Sequence, residues 1–430
     1  YSGSTVNITG GEITARYVDT GVIKEAYGMR ITGTANVTVD GGEITGVKMD
    51  DNGYKLDVPN VTLKSGKING SFYSVTNGTI TFTVDDNATI TFGNDSARKF
   101  LPNTVKLVQN EDGSYGVKAA AAKVAQIGTV TYETLADAIT AAKDGDTITL
   151  LKDCSGDGIA VPAGKFTQGL TVDFATHSYT VGGKLVGSSG TKSNGFQLNK
   201  NNKITFRNGA IYGDASVAGD DTTNWTGAPA ILIQNYCDLT LSGMKVSGGS
   251  NTVYTMSNNC GNVVIENTTI NAGGGDSGRA PFALDACGYS GYTGVSVTVK
   301  GTSVINGNIE VSRSANNENA VTLALESGTV NGELKIDSSI KSGDATTVTK
   351  NAEVTLAAPT GYQWKDGVLV AAVAEVFNAD GVSQGTYESL QAAINAATRN
   401  QTVKMLANTK ENVTIDKGLT LDLNGFTLNG

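Results

Sequence analysis

Histidine is almost missing from this chain, with His177 the one example in 430 residues. A Ser-His-Asp arrangement therefore has a single candidate base. That residue sits in Thr176-His-Ser-Tyr179, which reads as a turn at the surface. Charged residues make up only 17% and aromatics 7%, which argues against a helical enzyme. A net charge of −9 makes nucleic acid a poor partner. No apolar run approaches the roughly 18 residues of a membrane helix, so no membrane insertion is expected within this stretch. No secretory leader or cell-wall anchor is recognisable either. The four cysteines include no Cys-x-x-Cys, and the lone histidine is remote from them, so no metal site is expected.

What the chain has is repetition, with 54 glycines among many Asn and Thr residues. Asn36-Val-Thr-Val-Asp-Gly-Gly-Glu-Ile-Thr-Gly46 returns as Asn60-Val-Thr-Leu-Lys-Ser-Gly-Lys-Ile-Asn-Gly70. Looser copies follow at Ile204–Gly213, Leu239–Gly248, Val263–Ile270 and Val297–Val304, and Val321-Thr-Leu323 continues the series. A fixed period of about 24 residues is the mark of stacked repeats.

Inside a phrase, apolar residues flank a threonine, as in Val37-Thr38-Val39 and Val61-Thr62-Leu63. That alternation puts the apolar pair on one face of a strand and the threonine on the other. Gly and Asn then supply the positive φ that sharp corners need. Strands of no more than about five residues are expected. One repeat cannot bury its own apolar face, whereas repeats stacked at about 4.8 Å build a continuous core. The expected fold is all-β: a right-handed parallel β-helix solenoid with about 24 residues per coil. A β-sandwich also uses many short strands, but it has no reason to keep this register.

A longer repeat lies above the first. Tyr132-Glu-Thr-Leu-Ala-Asp-Ala-Ile-Thr-Ala-Ala142 matches Tyr387-Glu-Ser-Leu-Gln-Ala-Ala-Ile-Asn-Ala-Ala397. Leu135, Ala138, Ile139 and Ala142 form one apolar stripe, so short amphipathic helices are expected at about 133–143 and 388–398, each capping the open end of a module. Thr134 or Thr131 would start the first and Gly145 would end it. The modules expected are 1–118 (the last part of one), 124–372 (complete) and 373–430 (the opening of another). Lys118–Lys123 is the linker. Asp366-Gly367 reads as a hairpin turn whose neighbour Trp364 seals the far end of the complete module.

Leu135–Leu150, a lid helix running into a first strand, resembles the entry of the right-handed β-helix, pectate-lyase-like superfamily. The tandem modules resemble repeat regions of very large bacterial surface proteins of adhesin type. The resemblance implies a secreted or cell-surface bacterial location. It also implies a non-catalytic role as rigid stalk and adhesin, whose partners are a glycan or protein surface and the neighbouring modules. The alternative it offers is a secreted polysaccharide lyase or glycoside hydrolase with a loop-lined cleft. No cofactor is expected, and Ca²⁺ enters only under that enzyme alternative. Several Asn-X-Ser/Thr sites, among them Asn7, Asn36, Asn60, Asn87 and Asn412, read as a by-product of Asn turns meeting Thr strands.

No catalytic residues are assigned. The candidate ligand-binding residues lie in two long loops: Asp220, Asp221 and Trp225, then Asp276, Arg279 and Asp285. Carboxylates with a nearby aromatic suit carbohydrate, and hydrolysis would need two carboxyls at a set separation. Cys237, Cys260 and Cys287 lie about one coil apart and are expected to stack in one ladder, as reduced thiols or within disulfide range.

Overall fold

The computed structural model describes residues 4–14, 28–50, 59–74, 80–102, 104–119, 122–188, 192–213, 229–276, 278–314, 319–340 and 344–430. The chain is all-β in character, with many short parallel strands and two α-helices of one turn or two among the described residues. It divides into two compact units, Tyr1–Ala122 and Lys123–Gly430. The break falls inside the expected linker. Residues from Ala374 onward keep a core of their own around Val376, Leu390, Ile394 and Val403.

In the first unit, strands Thr5–Ile8, Asn36–Asp50, Asn60–Ser74 and Thr83–Phe92 pair in parallel, each with the next. The register is the one the repeat predicts: Asn36↔Asn60, Val37↔Val61, Thr38↔Thr62, Val39↔Leu63 and Ile44↔Ile68. Val37, Val39, Ile44, Val61, Leu63 and Ile68 are all buried. The strands are longer than expected, because Asn36–Asp50 runs unbroken for 15 residues. Its pairing shifts at Val39/Asp40, Asp40/Glu43 and Thr45/Val47, so the chain bends at the corner without losing its neighbour. A hairpin, Val105–Gln109 with Tyr115–Ala119, closes the unit in antiparallel fashion.

The second unit repeats this logic over more strands. Ile148, Val172, Phe206, Leu241, Ile265, Val299 and Leu325 follow one another in a single row across parallel strands. All of them are buried, so the row is the spine of the core. A second row runs Tyr179, Ile211, Val246, Ile270, Ile305 and Val330. A separate parallel sheet holds Ile159–Val161, Asn194–Leu198, Ile231–Asn235, Tyr254–Asn258, Phe282–Gly288, Asn308–Arg313 and Leu334–Ile336.

The helices Leu135–Ala141 and Leu390–Ala396 form where the apolar stripes predict them. Thr134 caps the first, its hydroxyl accepting from the Asp137 amide at 2.9 Å, and Ser389 caps the second in the same way at 3.1 Å. The first helix stops at Ala142, already extended, ahead of Gly145. Its free carbonyls are met by Lys165, whose Nζ donates to Ile139 and Thr140 at 2.7 Å. Lys417 does this for the second helix, donating to Asn395 and Ala397 at 3.0 Å. At the other end, Tyr362–Lys365 and Val368–Ala371 form the predicted hairpin, with Asp366 and Gly367 both at positive φ. Trp364 packs against the core there.

Close stacking of one turn on the next makes small residues obligatory at points. Gly261 has φ +79° and lies directly over Cys237, and a Cβ added there would come within 2.6 Å of that residue's backbone. Gly261→Ala is therefore expected to cost at least about 1–2 kcal/mol, the price of a left-handed alanine alone, read as a lower urea midpoint.

Candidate functional site

The sheet beginning at Ile159–Val161 carries a polar row on its outer face. Inward positions of successive strands are Phe196, Ile233, Met256, Leu284, Ile309 and Leu334. The residues that follow them, Gln197, Gln234, Ser257, Asp285, Glu310 and Lys335, stack in register on the opposite side. One step further on, Asn235 and Asn258 turn inward and are fully buried. Asn235 Nδ2 donates to Asn258 Oδ1 at 2.9 Å and to the Cys237 carbonyl at 2.6 Å. Asn258 Nδ2 donates to the carbonyls of Gly261 and Ser296. These amides satisfy turn carbonyls that would otherwise be orphaned in the core.

Gln197, Gln234, Ser257 and Asp285 of this row floor an open cleft of about 530 Å³, rimmed by Tyr236, Tyr254, Tyr289 and Arg279, and Glu310 is the next residue of the row on the adjoining strand. Asp285 is only 4% exposed. Ser257 Oγ donates to its Oδ2 at 2.7 Å and Ser312 Oγ to its Oδ1 at 3.2 Å. Burial, with the Glu310 carboxylate beside it, pushes the Asp285 carboxyl up to about 7. Glu310, half-buried, is raised as well, chiefly by desolvation. It accepts a hydrogen bond from the Tyr254 hydroxyl at 2.9 Å. Ser257 Oγ also lies 3.2 Å from Asn259 Oδ1, and one hydroxyl has one proton. Protonation of Asp285 lets its own O–H serve Ser257, freeing the serine proton for Asn259.

The walls are aromatic. Tyr254 and Phe282, ladder neighbours, stack at 5.5 Å and 13°. Tyr236 stacks on Tyr292 at 4.6 Å and meets Tyr289 edge-on at 6.4 Å. Tyr289 is 43% exposed, so its ring is open to a ligand. Burial raises the Tyr236 hydroxyl to about 12.

Of the six residues the sequence put forward, Arg279 and Asp285 line this cleft. Asp276 lies beside them and is taken up by Arg279, whose Nη2 and Nε donate to one carboxylate oxygen at 2.6 and 2.9 Å. That hydrogen bond to Arg279 holds the Asp276 carboxyl below its usual range. Asp220, Asp221 and Trp225 lie outside the described residues. Sequence reasoning passed over Tyr254, Ser257, Glu310, Gln234, Tyr236 and Tyr289. The signal available was the polar residue following each inward one, in Ile233-Gln, Met256-Ser, Leu284-Asp and Ile309-Glu.

The cysteines need correcting. All four are free thiols. Cys237 and Cys260 occupy successive turns beneath Asn235, which donates to both carbonyls. Cys287 does not join them. Ala286 pairs with Asn258, so Cys287 stands level with Asn259, and its own ladder partner is Ser312. Burial raises the thiols of Cys237 and Cys287, the latter to about 11, so both are held as neutral S–H groups. His177 lies in a turn as expected, with Nδ1 3.7 Å from Asp153. Comparison with protein-family models, with curated proteins and with solved structures found no match for this chain.

Proposed function

We propose that the chain is a right-handed parallel β-helix, about 24 residues per coil, built as tandem modules that each open with a capping helix. In this reading it is a rigid, non-catalytic segment of a large secreted or cell-surface bacterial protein, and its outer sheet binds glycan as an adhesin does. Stiffness follows from strands bonded on both sides, and ten coils would span roughly 50 Å.

The observation that carries the reading is the cleft itself. It joins a straight polar row of amides, a hydroxyl and the Asp285 carboxyl to the tyrosine rings of Tyr236, Tyr254 and Tyr289. Sugars offer the matching pattern of hydroxyl edges and apolar ring faces. A glycan array on the purified chain is expected to give a defined set of binders. Tyr289→Ala, at an exposed ring, is expected to weaken them about tenfold without lowering stability. Silence across all glycans would end the proposal.

A second reading, a polysaccharide-cleaving enzyme, is favoured by one feature. Asp285, raised to about 7, sits beside Glu310, and glycoside hydrolysis uses one protonated and one ionised carboxyl. Release of reducing ends from a bound glycan, lost in Asp285→Asn, would replace the binding reading with this one.

A further inference from the structure

We propose that the ligand of the cleft is a glycan carrying free amines, a chain of amino sugars, with one ammonium group seated between Asp285 and Glu310. The inference rests on the glycan-binding reading and adds the chemical class of the sugar.

The two carboxyls occupy the same outer row on adjacent strands, so their backbones are about 4.8 Å apart. Their hydrogen-bond donors are neutral: Ser257 and Ser312 for one, Tyr254 for the other. Among the described residues no ion pair reaches either of them. The nearby cations are engaged elsewhere, Arg279 with Asp276, Lys335 with Glu333 and Arg313 with Asp344. Buried Asp285 is made costlier to ionise by Glu310, and half-buried Glu310 is itself raised by burial and by Asp337, so a positive charge placed between them would favour both carboxylates. An ammonium brings three donors and can serve both. The stacked Tyr254–Phe282 pair borders the same spot and gives a sugar ring an apolar face to rest on. A uronate chain would bring like charge to this floor, so acidic polysaccharides are disfavoured.

Titration calorimetry with three tetramers tests this: fully deacetylated glucosamine, its N-acetylated form and galacturonate. The deacetylated chain is expected to bind at least about tenfold more tightly than the other two. The double substitution Asp285→Asn with Glu310→Gln is expected to erase that preference, bringing the affinity for the deacetylated chain down to that for the N-acetylated one. Equal or tighter binding of the N-acetylated or galacturonate tetramer overturns the inference and leaves glycan binding standing. Binding of none of the three, with an array also silent, overturns both. Oligolysine bound as tightly as the amino sugar overturns the assignment to a sugar. The comparison among ligands on the unaltered protein needs no variant to fold.

Discussion

Phe206→Ala is expected to lower stability by about 3–5 kcal/mol, the usual cost of emptying a buried aromatic site. Phe206 is 1% exposed and stands mid-row between Val172 and Leu241. Its ring meets Phe174 at 5.9 Å and Phe196 at 5.6 Å, both edge-on. Phe174 and Phe196 belong to different faces of the same core, so this ring ties the two sheets together. The surrounding strands are held on both sides by their ladders and cannot collapse into the void. Urea unfolding monitored by circular dichroism gives the loss. Phe206→Leu, which keeps most of the volume, is expected to cost about 1–1.5 kcal/mol. Equal, small losses for both would mean that the ring is not a core element.

The second large effect is a pH dependence. Unfolded aspartate titrates near 3.9, while folded Asp285 holds its proton up to about 7. Between those values the folded state carries a proton that the unfolded state has lost, so stability falls as pH rises. The contribution is fully present below pH ~4 and gone above ~7, amounting to as much as ~4 kcal/mol at ~1.4 kcal/mol per unit. Glu310 pulls in the same direction, whereas carboxylates held low, such as Asp276 by its hydrogen bond to Arg279, pull the other way. The difference between wild type and Asp285→Asn isolates the one group. The variant is expected to match the wild type near pH 4 and to exceed it by several kcal/mol at pH 8, measured by urea midpoints across that range. A difference independent of pH would show that Asp285 ionises freely.

Much of the fold was legible because its local signals agree with one another. Val37-Thr38-Val39 alternates, its copy at Val61 alternates in phase, and a one-residue slip would turn every valine outward. The helix at Leu135 has its stripe and its cap in sequence, and Asp366-Gly367 names its own turn. Register was less secure where loops vary in length. Val297 pairs with Leu323, and Val321 pairs with Val295, a shift of two that leaves the inward face unchanged. The same uncertainty misplaced Cys287 by one residue, where a single step changes the face.

The candidate site was harder to read for a physical reason. Strand Tyr254–Asn258 has polar residues on both of its sides, since Asn258 points into the core and Ser257 into the cleft. Alternation of polar and apolar residues therefore fails as a guide there. Asp285 and Arg279 stood out through charge in a loop-rich region, but Glu310 and Tyr254 gain meaning only once the strands are laid side by side.

Consecutive repeats lie edge to edge in parallel, and paired cysteines test that most directly. Thr38 and Thr62 are ladder partners in a unit without native cysteines, and neighbouring parallel strands bring α-carbons within disulfide range. Thr38→Cys with Thr62→Cys is expected to cross-link under mild oxidation, as mapped by peptide mass. Thr38→Cys with Thr83→Cys is expected to stay reduced, because Thr83 pairs with Thr62 and lies one strand further out. Failure of the first pair, or equally rapid bridging of the second, would contradict the stacking of the repeats.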